Sequence, residues 1–458
     1  MYSKWAGLVP KTIEVEWRES TGSFEGWRHA VGHGGINCLP LPESVATGVH
    51  ALKPRLLRTF VQEYFTIYPD HGVFDWSLLD PYMESLSRTG ADIVASIAIK
   101  PPALFPAIDH TVWQPNDPRE WQEVIYALVH RYSVERRLVT HWEIGNEPDI
   151  GEEGGSPYLF RDANDYMAYY RLTVEAVLRA FPAAKVGGPA VSSTEHPLLS
   201  NFIQLCHQTG TQLDFVSWHV YDDNPHAHRQ AIERIRAQLD KFGERRPEMH
   251  VTEWNKGFDY PVSMVEMAFH PRRAAAAAAI MTAMTEAGLD WSFYYHIWDQ
   301  TFYAEQFRSF YRELPIMIKH WNEFPHRFGL FGVCGEVRPV YFVYRMLARM
   351  GGVKLAVRND DPDLWILAAA GSRKWSVLIA NYSLHAAEDK LVNCKLMQLP
   401  PGVKRLVVYR IDHERSRLCD PSKLPLVEQR IVDTPAAGEF YLQTLCPADT
   451  VTFIELEF

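Results

Sequence analysis

Over 458 residues there are six cysteines and no C-x-x-C pair. Cys38, Cys206, Cys334, Cys394, Cys419 and Cys446 are widely scattered, which excludes a zinc knuckle and a disulfide framework. Buried free thiols are the expected state. Basic blocks are also missing. With 46 Lys+Arg against 56 Asp+Glu the net charge is −10, which argues against nucleic acid or an anionic membrane surface as a partner. No apolar run reaches the roughly 18 residues that a spanning helix needs. Met1–Pro10 has no basic-then-apolar leader pattern, so the cytoplasm is the expected location. The chain lacks a His-Glu-x-x-His helix and a carboxylate cluster at metal spacing. Gly187-Gly188-Pro189 lacks the rest of a dinucleotide fingerprint. No metal and no cofactor are expected. Internal repeats and low-complexity linkers are absent as well.

What is plentiful is apolar and aromatic. Hydrophobic residues make up 47%, enough for a sizeable core, and the 22% charged fraction is ordinary for a soluble protein. The length suits one large domain and a smaller one. The 14 Trp, 21 Tyr and 23 Phe serve a core or a sugar-binding cleft equally well, because the C–H face of a sugar stacks on aromatic rings.

Short β-rich runs alternate with longer helical stretches. Strands are read from Thr12 (TIEVEW), Leu56 (LLRTF), Ile93 (IVASIAI), Thr140 (THWEI), Lys185 (KVGG), Phe215 (FVSWH), Met249 (MHVTE) and Trp291 (WSFYY), 30–47 residues apart. Each interval has room for a crossover helix, as a parallel sheet requires. Helices are read at Pro81–Thr89, Pro118–Tyr132, Ala163–Ala180, Leu198–Thr209, Ala227–Phe242 and Arg272–Ala287. The last contains six consecutive alanines and stops at Gly288. Eight such units closing on themselves make an α/β fold of the (β/α)8 TIM-barrel type, expected over residues 1–352. From 353 to 458 the chain turns to alternating segments such as KLAVR, LWILAAA, WSVLIAN, KRLVVYRI, GEFYLQTL and VTFIELEF. An antiparallel β-sandwich is expected there, propping the barrel rather than binding sugar.

Active sites of such barrels lie at the C-terminal ends of the strands. Strand four runs into His141-Trp142-Glu143-Ile144-Gly145-Asn146-Glu147-Pro148-Asp149, and strand seven into His250-Val251-Thr252-Glu253-Trp254-Asn255. Strands buried on both faces should be apolar, so a carboxylate at a tip carries a desolvation cost. A lone Glu there would be read as an ion pair or a cap. Two, on opposite sides of one barrel mouth and inside aromatic-rich motifs, meet the requirement of glycoside hydrolysis for a protonated and an ionised carboxyl. Asn146 supplies an amide for a sugar hydroxyl.

HWEIGNEPD closely resembles the Asn-Glu-Pro acid/base motif of the clan A glycoside hydrolases, and VTEWN their nucleophile strand. Within that clan the chain resembles family 39, which includes β-xylosidases and α-L-iduronidases. GVFDWSLLDPYMESLSRTGADIVASIAIKPPALF, EWQEVIYALVHRYSVERRLVTHWEIGNEPD and GLFGVCGEVRPVYFVYRML extend the likeness over about residues 50–350. The resemblance implies a retaining hydrolase with Glu147 as acid/base, Glu253 as nucleophile and Asn146 on the 2-hydroxyl. His219 and Tyr221 in SWHVYDD match a His-x-Tyr motif lining the reacting subsite, the Tyr steadying the nucleophile. Arg58 in LLRTF matches a second-strand Arg expected to keep Glu253 ionised by lowering its pKa, while Glu147 stays high. Trp254 is expected as a cleft wall.

The chain departs from the family at several places. Gly145 stands where an aromatic is usual, and the eighth strand reads FYYHIWDQ rather than Trp-Thr-Phe-x-Asp. Alignment to Asp299 puts Tyr295 in place of that Trp, whereas chemistry favours Trp298 for stacking; both remain candidates for substrate binding. The loop AIDHTVWQPNDP also differs, with His110 and Trp113 as outer-subsite candidates or packing. These departures bear on the substrate. Glu143 is expected to be structural, and His226 and His228 to be exposed loop histidines. A carbohydrate is the expected partner, as a β-xyloside, β-glucoside, arabinoside or galactoside. Iduronides would need cations, and only Lys100 and Lys256 suggest themselves. A transglycosidase using the same site and a non-catalytic sugar-binding barrel are the alternatives, the second normally lacking one carboxylate.

Overall fold

The computed structural model describes residues 8–257, 268–309, 311–312, 314–318, 321–322, 329–416, 420–436 and 438–458. Eight parallel strands close a barrel: β2 (His29–Gly32), β3 (Leu56–Gln62), β4 (Asp92–Ala98), β5 (Val139–Ile144), β6 (Lys185–Val191), β7 (Phe215–Tyr221), β8 (Glu248–Asn255) and β9 (Trp291–Tyr295). β2 pairs with both β3 and β9, so the sheet has no edge. All seven residues of β3 are buried, as a strand between a packed interior and a helical layer must be.

The helices start where their caps say they should. Pro118–Val129 follows Asp117, whose side chain accepts from the Arg119 and Glu120 N–H groups. Ala163–Ala180 follows Asp162, and Pro225–Leu239 follows Asn224, each capped the same way. The polyalanine helix spans Pro271–Glu286 and is buried on nearly every side, with Ala274 to Ala279 each at most 5% exposed. It lies between barrel and second sheet and packs on strands of the latter. Alanine there does more than favour helix: small side chains let two layers approach one cylinder.

The second sheet has nine strands in the order β15 (Leu426–Thr434), β14 (Gly402–Ile411), β17 (Thr450–Glu457), β12 (Lys374–Asn381), β11 (Leu364–Ala370), β10 (Val353–Asn359), β1 (Lys11–Ser23), β13 (Lys390–Met397), β16 (Glu439–Cys446). Six of them match the segments read as a sandwich: β10 (Val353–Asn359), β11 (Leu364–Ala370), β12 (Lys374–Asn381), β14 (Gly402–Ile411), β16 (Glu439–Cys446) and β17 (Thr450–Glu457). β13 (Lys390–Met397) and β15 (Leu426–Thr434) complete the C-terminal set. The remaining strand corrects an expectation. TIEVEW lies in β1 (Lys11–Ser23), which pairs antiparallel with β10 and parallel with β13 and is no part of the barrel. Barrel strand one is HAVG, four residues, all buried. So short an unalternating run carries no period, while Ile13 and Val15 of TIEVEW alternate clearly because they face a two-sided sheet's core. The first strand expected within 1–352 thus belongs to the sheet built mostly from 353–458.

Two smaller expectations also change. Cys206, Cys394 and Cys446 are buried free thiols, but Cys38 is half-buried and Cys334 exposed; Cys419 lies outside the described residues. His228 is buried, with Nε2 2.9 Å from the Asp222 carbonyl and its ring edge-on to Trp254. Among the described residues no helix is long and apolar enough to cross a membrane.

Candidate active site

A cavity of about 270 Å³ opens at the C-terminal end of the barrel, just under the usual size of ligand pockets. Asn146, Glu147, Tyr221, Glu253 and Tyr295 line it. Its geometry is organised by one guanidinium. Arg58 on β3 is fully buried and donates from Nε to Glu143 Oε2 (2.7 Å), from Nη1 to Glu253 Oε1 (2.7 Å) and from Nη2 to Asn146 Oδ1 (2.8 Å). A buried cation needs buried partners, and β5, β8 and the turn after β5 supply them. Glu143 is therefore structural, as expected.

Glu253 takes a second bond from Tyr221 Oη, 2.5 Å from Oε2. His219 Nδ1 is 2.7 Å from Glu147 Oε1 and 3.6 Å from Glu253 Oε2. One oxygen of each glutamate and this nitrogen all lie within 4.8 Å of one another. Among the described residues this trio is the one grouping that could hold a metal ion.

Burial raises the pKa of both glutamates, but unequally. Glu147 is pushed well above the ordinary carboxylate range by desolvation, then by the charges of Glu253 and Asp149. Glu253 is also raised by desolvation, with Arg58 and the Tyr221 bond pulling it back down. Arg58 thus lowers the Glu253 pKa, as a guanidinium should, but burial outweighs it and the net shift is upward. The order of the two acids is as expected. Burial, then Arg58, holds the His219 imidazole well below its ordinary range, so the ring is neutral at pH 7.

Local backbone explains the Gly145 departure. β5 ends at Ile144, so Glu147 sits in a tight turn beyond the strand rather than at its tip. Gly145 has φ +95° and Glu147 itself φ +38°, a left-handed conformation that costs a non-glycine residue about 1–3 kcal/mol. An aromatic at 145 would be strained. Glu147 is held by its N–H donating to Ala190 O (2.8 Å) and by the Gly151 N–H donating to its carbonyl (3.0 Å).

Of the remaining candidates, Tyr295 lines the cavity and donates to Gly34 O at 2.8 Å. Trp298 lies elsewhere, tilted against His33 with Nε1 donating to Val333 O. Trp254 is corrected: it is 1% exposed and packs edge-on against His228 and Tyr294, behind the barrel wall. Side chains alternate along a strand, so a Glu253 that points inward turns Trp254 outward. Lys100 is engaged, donating to the carbonyls of Asp109 (2.5 Å) and Val112 (2.7 Å); Lys256 is buried. His110 Nδ1 is 3.4 Å from Glu152, and Trp113 packs near Phe160.

The sequence reading missed several wall residues. Phe60 and Gln62 share the inward face of β3 with Arg58, two and four residues on, so alternation alone points to them. Ile150 and Ser192 come from loops, Gly154 from a single helical turn and Met317 from the five-residue helix Leu314–Ile318, with Trp321 just beyond it, segments too short to show a period. Trp321 stacks on His296 at 5.8 Å.

A closed parallel barrel with two buried carboxyls of unequal acidity at its mouth is the arrangement of a glycosidase. The model for Glycosyl hydrolases family 39 matches residues 71–423, and the chain belongs to that family. Its activity is that of a glycoside hydrolase. A β-xylosidase of Geobacillus stearothermophilus is 22% identical over 494 aligned positions, covering 94% of this chain and 93% of that one. In structure the chain is similar to a monomeric β-xylosidase of Caulobacter crescentus CB15 (TM-score 0.75, 20% identity, 98% and 99% of the two chains). It is also similar to a glucosidase of Croceicoccus marinus (TM-score 0.73, 18% identity, 98% and 99%).

Proposed function

We propose that this protein cleaves β-xylosides, β-glucosides or closely related O-glycosides by double displacement with retention of configuration. Glu147 is the acid/base and Glu253 the nucleophile. The observation that carries the reading is the placement of both carboxyls on one small cavity, with an oxygen of each within 4.8 Å of the other. Retaining enzymes keep the carboxyls about 5–5.5 Å apart; inverting ones need about 6.5–9.5 Å to admit a water. The roles follow from acidity. Glu147, whose carboxyl burial and acidic neighbours raise the more strongly, is the group that carries the proton and donates it to the leaving oxygen. Glu253 ionises first, its charge divided between Arg58 and Tyr221, and attacks the anomeric carbon. In the second step ionised Glu147 takes a proton from water, which displaces Glu253. Asn146 gives one amide hydrogen to Gly154 O (3.1 Å) and has a second to offer the sugar 2-hydroxyl. The sugar class rests on the similarity to a β-xylosidase and a glucosidase.

Proton NMR of the first product formed tests the mechanism: the substrate's own anomer is expected, and initial appearance of the other anomer rules double displacement out. A panel of nitrophenyl glycosides identifies the sugar. Because two carboxyls do all the chemistry, activity should withstand exhaustive chelation. A loss restored by one particular divalent ion would instead make Glu147, His219 and Glu253 a metal site.

A further inference from the structure

The segment after the acid/base turn folds back onto it. Residues Gly151–Gly154 form one short helical turn ending at Gly155, whose φ is +72°. Gly154 faces Glu147 so closely that a methyl group on its Cα would lie 1.9 Å from Oε2, 2.6 Å from Cβ and 2.9 Å from Cδ of that side chain. Real carbon contacts do not fall below about 3.0 Å. The Oε2 overlap alone could be relieved by rotating the carboxyl. The Cβ overlap could not, because it meets the stem of the side chain.

The loop is not free to retreat. Gly154 O accepts from Asn146 Nδ2 (3.1 Å) and Gly155 O from Gln62 Nε2 (2.9 Å). The Ser156 N–H donates to Gly151 O (3.0 Å), and buried Glu152 accepts from the Arg312 N–H (3.1 and 3.2 Å). With loop and turn both pinned, an added methyl must displace the Glu147 side chain from its place 2.7 Å from His219.

We propose that Gly154 is a positioning residue for the acid/base: its missing side chain is the space that the Glu147 carboxyl occupies, and its carbonyl orients Asn146. The inference rests on Glu147 being the acid/base. It deepens that assignment, because the tolerance for side chains at 154 then sets proton donation and not sugar binding.

The test compares Gly154→Ala and Glu147→Gln with wild type on phenyl and 2,4-dinitrophenyl glycosides of the preferred sugar, reading kcat/KM for the first step. A phenolate leaves poorly without a proton and a dinitrophenolate leaves readily. A misplacement of about 1 Å costs on the order of 100-fold, so Gly154→Ala should lose about that on the phenyl substrate. On the dinitrophenyl substrate it should stay within about 3-fold of wild type, since only the proton donor has moved. Equal losses on both substrates, or none on either, would overturn the proposal. If Glu147→Gln itself shows no leaving-group dependence, the acid/base assignment fails and takes Gly154's role with it. A steepened Glu147→Gln beside an unaffected Gly154→Ala removes Gly154's role alone. Should Gly154→Ala lose stability, placing it in a Glu147→Gly background deletes Oε2, Cδ and Cβ together, and the Tm should return to that of Glu147→Gly alone. A Tm that stays low in the double variant places the clash elsewhere and also overturns the proposal.

Discussion

At the scale of single residues, the two glutamates differ less in burial than in what surrounds them. Glu253 has a guanidinium and a phenol on its two oxygens; Glu147 has a neutral imidazole and acidic neighbours. Their responses to mutation should therefore be opposite. Glu147→Ala should keep its first step on dinitrophenyl glycosides, stall at the glycosyl-enzyme and recover turnover with azide, which attacks without base help. Glu253→Ala should give no retained product on any leaving group. Rescue of Glu253→Ala to retained product by azide would reverse the assignment. The pH dependence has a defined sign. On the proposed assignment, raising pH removes the Glu147 proton and with it the acid, and lowering pH protonates Glu253 and removes the nucleophile. The kcat/KM profile should be a bell, its alkaline limb missing in Glu147→Gln when measured on an activated substrate. Tyr221 belongs to the other limb. Its hydroxyl lowers the Glu253 pKa, so Tyr221→Phe should shift the acid limb to higher pH and reduce kcat more than it changes KM. An unmoved acid limb would reduce Tyr221 to packing.

Among the elements, strand alternation separates wall from core. β8 carries Glu253 inward and Trp254 outward, where the indole fills space between His228 and Tyr294. Truncating a buried aromatic costs about 3–5 kcal/mol, so Trp254→Ala should lower the Tm by many degrees. KM of the folded fraction should hardly move; a large rise in KM with an unchanged Tm would return Trp254 to the cleft. The polyalanine helix makes the complementary case. Ala279 has no exposed surface, and overpacking such a site costs about 1–3 kcal/mol. Ala279→Leu should therefore destabilise the fold, measured by denaturant titration, although leucine is itself a good helix former.

For the molecule as a whole, the two layers of strands are tied by more than contact. Buried Glu455 on β17 takes Lys374 of its own sheet (2.9 Å) and reaches Arg349, just past the helix Pro339–Leu347 (2.5 Å), and Arg272 at the head of the polyalanine helix donates to Asp449 (2.6 Å) and Ser383 O (2.9 Å). β1 is the keystone of the second sheet, because the β13–β16 pair reaches β10 only through it. Removing residues 1–23 should detach that pair and uncover Leu355, Val392 and Cys394, which share a core with Ile13 and Val15. Scanning calorimetry of the shortened chain should show a Tm lower by many degrees or two separate transitions. A single transition at the original Tm would mean that β1 is dispensable.

The amino-acid sequence by itself determined seven of the eight barrel strands and the sheet that follows them, and it put forward the two glutamates. Each is written in local signals: interval between strands, Asp and Asn caps, a carboxylate beyond an apolar run. Even the outward turn of Trp254 and the inward turn of Phe60 and Gln62 were legible in alternation once Glu253 and Arg58 were placed. Tertiary structure alone decided the rest. Arg58 meets Glu143, Asn146 and Glu253 across 85, 88 and 195 residues of chain, and no local period encodes which distant strand a side chain will face. Burial at that meeting point set the Glu253 pKa above its ordinary value, against what charge pairing alone would give. The same holds for β1, whose alternation specifies a face but not a sheet, and for Gly154, whose missing side chain has meaning only beside the Glu147 carboxyl folded against it.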